Sequence, residues 1–152
     1  MDIKLRRTLV DKRINDEINF RRCCPNNHLN ATLQNREDFI SEEFFASVGN
    51  REIIAIFKTG EKNTPLDRAF DIYMPKLIEM GTYPLNVQGH LIEIAYTENF
   101  PSYTTHWALE GVMNLVVNSK TQQYTGNAIM KFKDRQGIEF TSRSDFCFSL
   151  AS

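Results

Sequence analysis

The sequence has few of the features that define common functional classes. Its three cysteines, Cys23, Cys24 and Cys147, form no CxxC pair, so neither a disulfide framework nor a zinc site is predicted. No run of about 18 apolar residues is present, and a charged stretch from Asp2 to Arg7 leaves no apolar signal core, which predicts a cytoplasmic protein. P-loop, GxGxxG, GxSxG, HExxH and calcium-loop motifs are missing, so no cofactor or metal is predicted.

The net charge is −1, but the charged residues are unevenly distributed along the chain. Residues 1–36 carry eight Lys and Arg against four acids, a net charge of +4, and the rest of the chain is at −5. A cationic segment attracts nucleic acid or an anionic membrane, and the predicted contacts are Arg6, Arg7, Arg21 and Arg22. A solvated helix face is the simpler interpretation.

Three segments in the first half predict helices. Within residues 3–22, apolar side chains recur among Arg and Lys, which is typical of an amphipathic helix: Leu5, Leu9, Ile14 and Ile18. Residues 51–58 predict a short helix, and residues 64–80 a longer one that Thr64 caps and Pro65 begins. Residues 28–36 are ambiguous and fit a short helix, and residues 38–46 fit a strand or a helical turn.

After Pro84 the apolar period changes to two, and Val, Ile, Phe, Tyr and Thr dominate. Four runs predict strands of an antiparallel meander: 86–96, 104–118, 121–133 and 137–149. Helices ahead of such a sheet predict a single α+β domain. In that domain, a basic helical segment (1–36) and further helices cover one face of a curved sheet of four to six strands (84–150).

Two stretches resemble the nuclear-transport-factor-2-like superfamily. The first, Gly49–Phe57, is similar to that family's glycine-led helix before its main sheet. The second comprises His106–Gly111, Gly126 and Phe132–Ile138, and resembles its last three strands. The resemblance implies a cone-shaped α+β fold with a hydrophobic pocket and an outer sheet face that pairs two subunits.

The same resemblance directs attention to acid–base residues. Glu43, with its neighbour Glu42, lies nearest the position of the carboxylate that moves a proton in isomerase-like members. No acid occupies the pocket-facing positions of the third strand, so ketosteroid-isomerase chemistry is not implied. His106 paired with Asp145, and separately His90, are the remaining catalytic candidates near neutral pH.

Aromatic and methionine side chains are the candidates for an apolar ligand site, although core packing is their simpler role: Tyr73, Tyr96, Trp107, Met113 and Met130. We favour a non-enzymatic module that binds a small apolar ligand or a protein and forms a homodimer through its sheet. One alternative is a cofactor-independent lyase or isomerase, resembling a polyketide cyclase or dehydratase, that uses a His–acid pair. The other is a viral or structural assembly protein whose basic first helix contacts nucleic acid or membrane.

Overall fold

The computed structural model describes residues 27–85 and 91–150, and every regular element within them is a β-strand. Eleven strands occur in this part of the chain. They are β1 (His28–Leu33), β2 (Phe39–Ile40), β3 (Glu43–Val48), β4 (Glu52–Thr59), β5 (Arg68–Pro75), β6 (Gly81–Pro84), β7 (Glu93–Glu98), β8 (Thr104–Trp107), β9 (Glu110–Asn118), β10 (Gln123–Lys133) and β11 (Glu139–Ser149).

The strands form two antiparallel sheets that pack face to face. The six-stranded sheet has the order β2-β1-β11-β10-β9-β6, and the five-stranded sheet the order β3-β4-β5-β7-β8. Rings from the two sheets meet in the core, as in the stacked pair of Phe44 and Phe148, whose centroids are 5.4 Å apart. Phe70 of β5 likewise contacts Phe132 of β10 at 6.5 Å. The result is a β-sandwich with one main core between its sheets.

The predictions of helices at 51–58 and 64–80 are wrong, because these segments form β4 and β5. In β4, Ile53, Ala55 and Phe57 belong to the main core, whereas Ile56 packs with neighbours on the other face. Short apolar runs of this kind fit both the helical period of 3.6 residues and the strand period of two. In such a case, β-branched and aromatic residues favour a strand. The two ambiguous segments also form strands, β1 to β3. The helix predicted at 3–22 lies outside the described residues.

The α+β fold class is therefore also wrong: the described residues are all-β and contain no helix. Strands begin at His28, far ahead of the sheet predicted for 84–150. This architecture conflicts with the helix-covered cone that the nuclear-transport-factor-2-like resemblance implies. Within the described ranges, no helix is long and apolar enough to span a bilayer.

The predicted antiparallel meander is confirmed for β9, β10 and β11, which pair in sequence order. Its first predicted strand, 86–96, overlaps β7, which belongs to the other sheet. The turn between the last two strands forms as its chemistry requires, since Asp134 Oδ1 accepts the amides of Gln136 and Ile138 at 2.9 and 2.8 Å. In β11, the buried face carries Phe140, Phe146 and Phe148.

One predicted strand, 104–118, is divided between the two sheets. The Ala108 amide bonds to Ile94 of the five-stranded sheet, and the Leu109 amide bonds to Lys131 of the six-stranded sheet, at 2.9 and 2.8 Å. Gly111 follows this crossing with a φ of +148°. The crossing changes which side chains share a face, and so places His106 inside the sandwich and Glu110 outside it.

Candidate functional site

The only buried histidine in the described residues belongs to an ionic cluster at one end of the sandwich. Glu98 is the last residue of β7, and its Oε2 atom forms a hydrogen bond with His106 Nε2 at 2.9 Å. Arg36, in the turn between β1 and β2, binds both carboxylate oxygens through Nε and Nη2 at 2.8 to 3.0 Å. The Tyr96 hydroxyl donates to Oε1 at 3.2 Å. The Arg36 bonds join the two sheets, because Arg36 follows β1 of the six-stranded sheet and Glu98 ends β7 of the five-stranded sheet.

The environment of the cluster fixes its charge. Burial acts to raise the pKa of Glu98, but the hydrogen bonds from His106 and Arg36 outweigh this effect and lower that pKa to about 2. Burial raises the pKa of Tyr96 to about 12. The Arg36 guanidinium also lies 3.7 Å from the centroid of the Phe140 ring, in a cation–π contact. Glu98 therefore stays an anion and Tyr96 a neutral phenol over the physiological range.

His106 has little capacity to act as a catalytic base. Its Nε2 atom faces Glu98, and its Nδ1 atom faces the Lys133 carbonyl oxygen at 3.4 Å. The ring also packs edge-on against Phe140, with centroids 5.2 Å apart. A general base needs a ring nitrogen that reaches the substrate, whereas both nitrogens of this buried ring are engaged by protein oxygens.

The structure does not bring together the predicted catalytic pair. His106 faces the core, whereas Asp145 lies on the outer face of the six-stranded sheet, where its nearest basic partner is His28 at 3.8 Å. Glu43 is exposed at the start of β3, and His90 lies outside the described residues. The carboxylate that does pair with His106 is Glu98, which was not among the predicted site residues.

The predicted ligand-binding residues do not share one pocket. Tyr96, Met113 and Met130 are fully buried in the main core. Tyr73 and Trp107 contact each other, with ring centroids 5.6 Å apart, on the outer face of the five-stranded sheet, the opposite side from that core. The first three are packing residues, and the other two belong to a separate surface.

A hollow of about 400 Å³ lies beside the ionic cluster, and Arg36, Arg68, Leu66 and Glu98 are among its lining residues. Arg68 donates to the carbonyl oxygens of Glu37 and Asp38, each at 2.9 Å. Both guanidinium groups are therefore held by the protein itself, which leaves little of the wall to recognise a ligand.

A larger cleft of about 650 Å³ opens at the other end of the sandwich. It lies where β3, β9 and β11 end, and the loop between β5 and β6 forms one side. Among the described residues, eight of those that line it are apolar: Val48, Ile53, Leu77, Ile78, Met80, Val117, Tyr124 and Leu150. The described polar residues of the lining are Lys76, Glu79, Ser119 and Gln122. The volume lies within the range of small-molecule sites in proteins.

Two side chains in the cleft are unusually exposed for their size. Leu77 is 88% and Met80 61% exposed, whereas Tyr124 at the base stacks on Phe148 with centroids 5.0 Å apart. The sequence analysis missed this loop, because it placed residues 76–80 within a predicted helix. Pro75 was the available signal, since proline favours the end of a strand over a helix interior.

Cys147 is a half-buried thiol on the outer face of the six-stranded sheet. Its Sγ atom contacts Gln123 Nε2 at 3.1 Å. Among the described residues, no group of three His, Cys, Asp or Glu side chains is placed to hold a metal ion.

Comparisons of this chain with protein-family models, with curated proteins and with solved structures gave no match. The functional argument therefore depends on the geometry of the described residues.

Proposed function

We propose that this protein is a non-enzymatic binding module that takes a small, largely apolar ligand in the cleft at the β5–β6 end of the sandwich. The observation that carries the proposal is the cleft itself, with about 650 Å³ of space lined by apolar and polar side chains. Burying apolar ligand surface there is favourable by about 25 cal/mol per Å². Leu77 and Met80, which are largely exposed without ligand, would be covered by it.

The polar residues of the cleft define the ligand further. Lys76, Ser119 and Gln122 line the same cleft as the apolar side chains. They supply an ammonium group, a hydroxyl and a carboxamide, and Glu79 adds a carboxylate, which together suit a ligand with one polar end. We therefore propose an amphipathic molecule whose apolar body lies against Tyr124 and Leu150.

A non-enzymatic role is supported by the separation of the cleft from the acid–base cluster. Glu98 and His106 lie near Lys133, at the far end of β10 from Gln123. Their mutual bond, and the Arg36 bond to the same carboxylate, occupy them fully. The described residues that line the cleft include no histidine or cysteine, so their chemistry favours binding over proton transfer.

The double variant Leu77→Glu/Met80→Glu is expected to weaken ligand binding at least tenfold, because it places two carboxylates in the apolar mouth of the cleft. Binding is measured by fluorescence titration with 1-anilinonaphthalene-8-sulfonate and by calorimetry with dodecanoate. Both side chains are mostly exposed, so stability should change little.

The matched control is Leu66→Glu/Ile138→Glu, which adds the same charge at two exposed apolar positions outside the cleft. This control should bind both probes like the wild type. Equal loss of binding in the two double variants, or no binding of either probe to the wild type, would contradict the proposal.

We further propose that the module forms a homodimer through the outer face of its six-stranded sheet. Exposed β-branched side chains cluster there: Ile129 lies opposite Val112, and Val116 lies on the same face. The edge strands β2 and β6 have two and four residues, and such short edges disfavour strand-to-strand association. Face-to-face pairing of this patch is the favoured mode.

Val116→Lys should convert the dimer to a monomer, with a dissociation constant raised at least tenfold, because it places a charge in this apolar patch. Light scattering after size exclusion measures the mass. Ile138→Lys, at an exposed position in the β10–β11 turn, is the control. A wild type that is monomeric at high micromolar concentration would refute this part of the proposal.

Contacts of Arg6, Arg7, Arg21 and Arg22 with nucleic acid or membrane stay predictions, since these residues lie outside the described ranges. A cytoplasmic location likewise stays a prediction of the sequence.

A further inference from the structure

The outer face of the five-stranded sheet has the composition of an interface. Its apolar residues form a second cluster, separate from the main core, in which Phe45 and Ile54 pack around Ile56. Further along the same face, the Tyr73 ring contacts the Trp107 ring. An apolar sheet face of this kind must be covered to be stable.

Burial within the single chain shows that this face is covered. Ile56 is 1%, Asp71 0% and Tyr73 2% exposed, although all three point away from the main core. No other strand of the described residues lies over them, since both sheets are accounted for by their strand order. We infer that the cover comes from residues of this chain outside the described ranges.

Length identifies which residues these are. Beside the N-terminal 26 residues, the undescribed parts of the chain are 86–90 and 151–152, which are too short to cross five strands spaced about 4.8 Å apart. A helix of 22 residues spans about 33 Å, and an extended chain spans more. Both exceed the width of about 19 Å that five such strands occupy.

The exit point of the N-terminal residues also fits. Asn27 Oδ1 accepts the Ser149 amide at 2.9 Å, so the preceding residues leave the sandwich at the end that carries the cleft. Residues 23–26 can span about 13 Å when extended, against a sheet separation of about 10 Å. This linker is long enough to carry the chain past the end of the sandwich to the far face.

Charge complementarity points to the same segment. Asp71 places a carboxylate in the buried face, with the Tyr73 hydroxyl 3.3 Å away. A buried carboxylate is stabilised by a nearby cation. Residues 1–26 hold seven Lys and Arg against four acids, together with apolar residues such as Ile14 and Ile18.

We propose that the N-terminal segment, residues 1–22, docks across the outer face of the five-stranded sheet. Its apolar side chains cover Ile56 and Trp107, and a cationic side chain approaches Asp71. The proposal is independent of ligand binding in the cleft. It has one consequence for assembly: the five-stranded sheet is closed to a second copy, which leaves the six-stranded sheet for self-association.

Trp107, the single tryptophan of the chain, tests the docking in the full-length protein. Ile14→Glu/Ile18→Glu should at least double the acrylamide quenching constant of Trp107 and shift its emission to longer wavelength, because the segment releases the face. Asn15→Glu/Asn19→Glu adds the same charge at polar positions and should leave both values unchanged. Equal quenching in the wild type and both variants overturns the proposal.

Zero-length carbodiimide cross-linking of the wild type keeps the test decisive if the apolar variant fails to fold. We expect links from Lys4 or Lys12 to acids bordering this face, Glu52 or Glu93. A mixture of ¹⁴N and ¹⁵N chains should show that these links form within one chain. Links that form only between chains would assign the face to a second copy, and segment lysines linked only to other surfaces, or unlinked, would likewise overturn the proposal.

Discussion

Replacing Glu98 by glutamine is expected to lower the free energy of unfolding by about 3 to 5 kcal/mol, the usual cost of breaking a buried ion pair from one side. Arg36 and His106 both direct hydrogen bonds at this carboxylate. A carboxamide has one acceptor oxygen and an NH₂ group, so one of the two donors would face another donor. The loss should appear as a lower midpoint in urea unfolding.

Glu110→Gln is the matched control for this prediction. Glu110 also forms an ion pair, with Lys131 at 2.8 Å, but its side chain is largely exposed. Exposed pairs contribute about 0 to 1 kcal/mol. A loss in the Glu98 variant that is no larger than the loss in the Glu110 variant would show that the buried cluster does not hold the sheets together.

The pH dependence of stability provides a second readout of the same residue. The pKa of Glu98 is about 2 in the folded chain, against a reference value of 4.5. Folding therefore gains stability from this ionisation above the reference pKa, and loses it as the pH falls toward 2. At 1.36 kcal/mol per pKa unit, this contribution is about 3 kcal/mol. Glu98→Gln should remove this part of the acid-induced loss, whereas Glu110→Gln should retain it.

The C-terminal half of the fold could be predicted from the sequence because its information is local. Alternating burial from Phe140 to Phe148 and the turn chemistry of Asp134 and Gly137 act within a few residues of each other. The predicted segments 121–133 and 137–149 accordingly match β10 and β11 to within two residues.

The first half was mispredicted because β4 and β5 are apolar on both faces. With Ile56 and Asp71 buried on the outer side and Phe57 and Phe70 on the inner side, alternation is lost and helical spacing fits by chance.

The ionic cluster could not be predicted, since its members are distant in sequence. Arg36 and Glu98 are 62 residues apart and meet only after the two sheets pack. The sequence analysis predicted one strand over 104–118. Alternation continued through Ala108 and Leu109, where the chain crosses between the sheets, could not place His106 on the core side. In the sequence, Gly111 marks the position just after this crossing.

Gly111→Ala is expected to lower the free energy of unfolding by about 3 kcal/mol or more, as the sum of two effects. The first is conformational: the φ of +148° is unfavourable for a residue with a side chain, at about 1 to 3 kcal/mol. The second is steric, because an added Cβ would lie 2.1 Å from the Ile129 carbonyl oxygen and 2.8 Å from Met130 Cα. Both atoms belong to the backbone of the paired strand and cannot move alone.

Gly137→Ala separates the two effects. Gly137 also has a positive φ, +82°, but an added Cβ would meet no atom within 4 Å, so only the conformational cost of about 1 to 2 kcal/mol applies. Urea unfolding of the two variants measures the difference, and equal losses would remove the steric explanation. The Gly111 carbonyl also accepts the Leu85 amide at 2.9 Å. Displacing it should loosen β6 and the loop ahead of it, so Gly111→Ala should weaken probe binding in the cleft while Gly137→Ala leaves it intact.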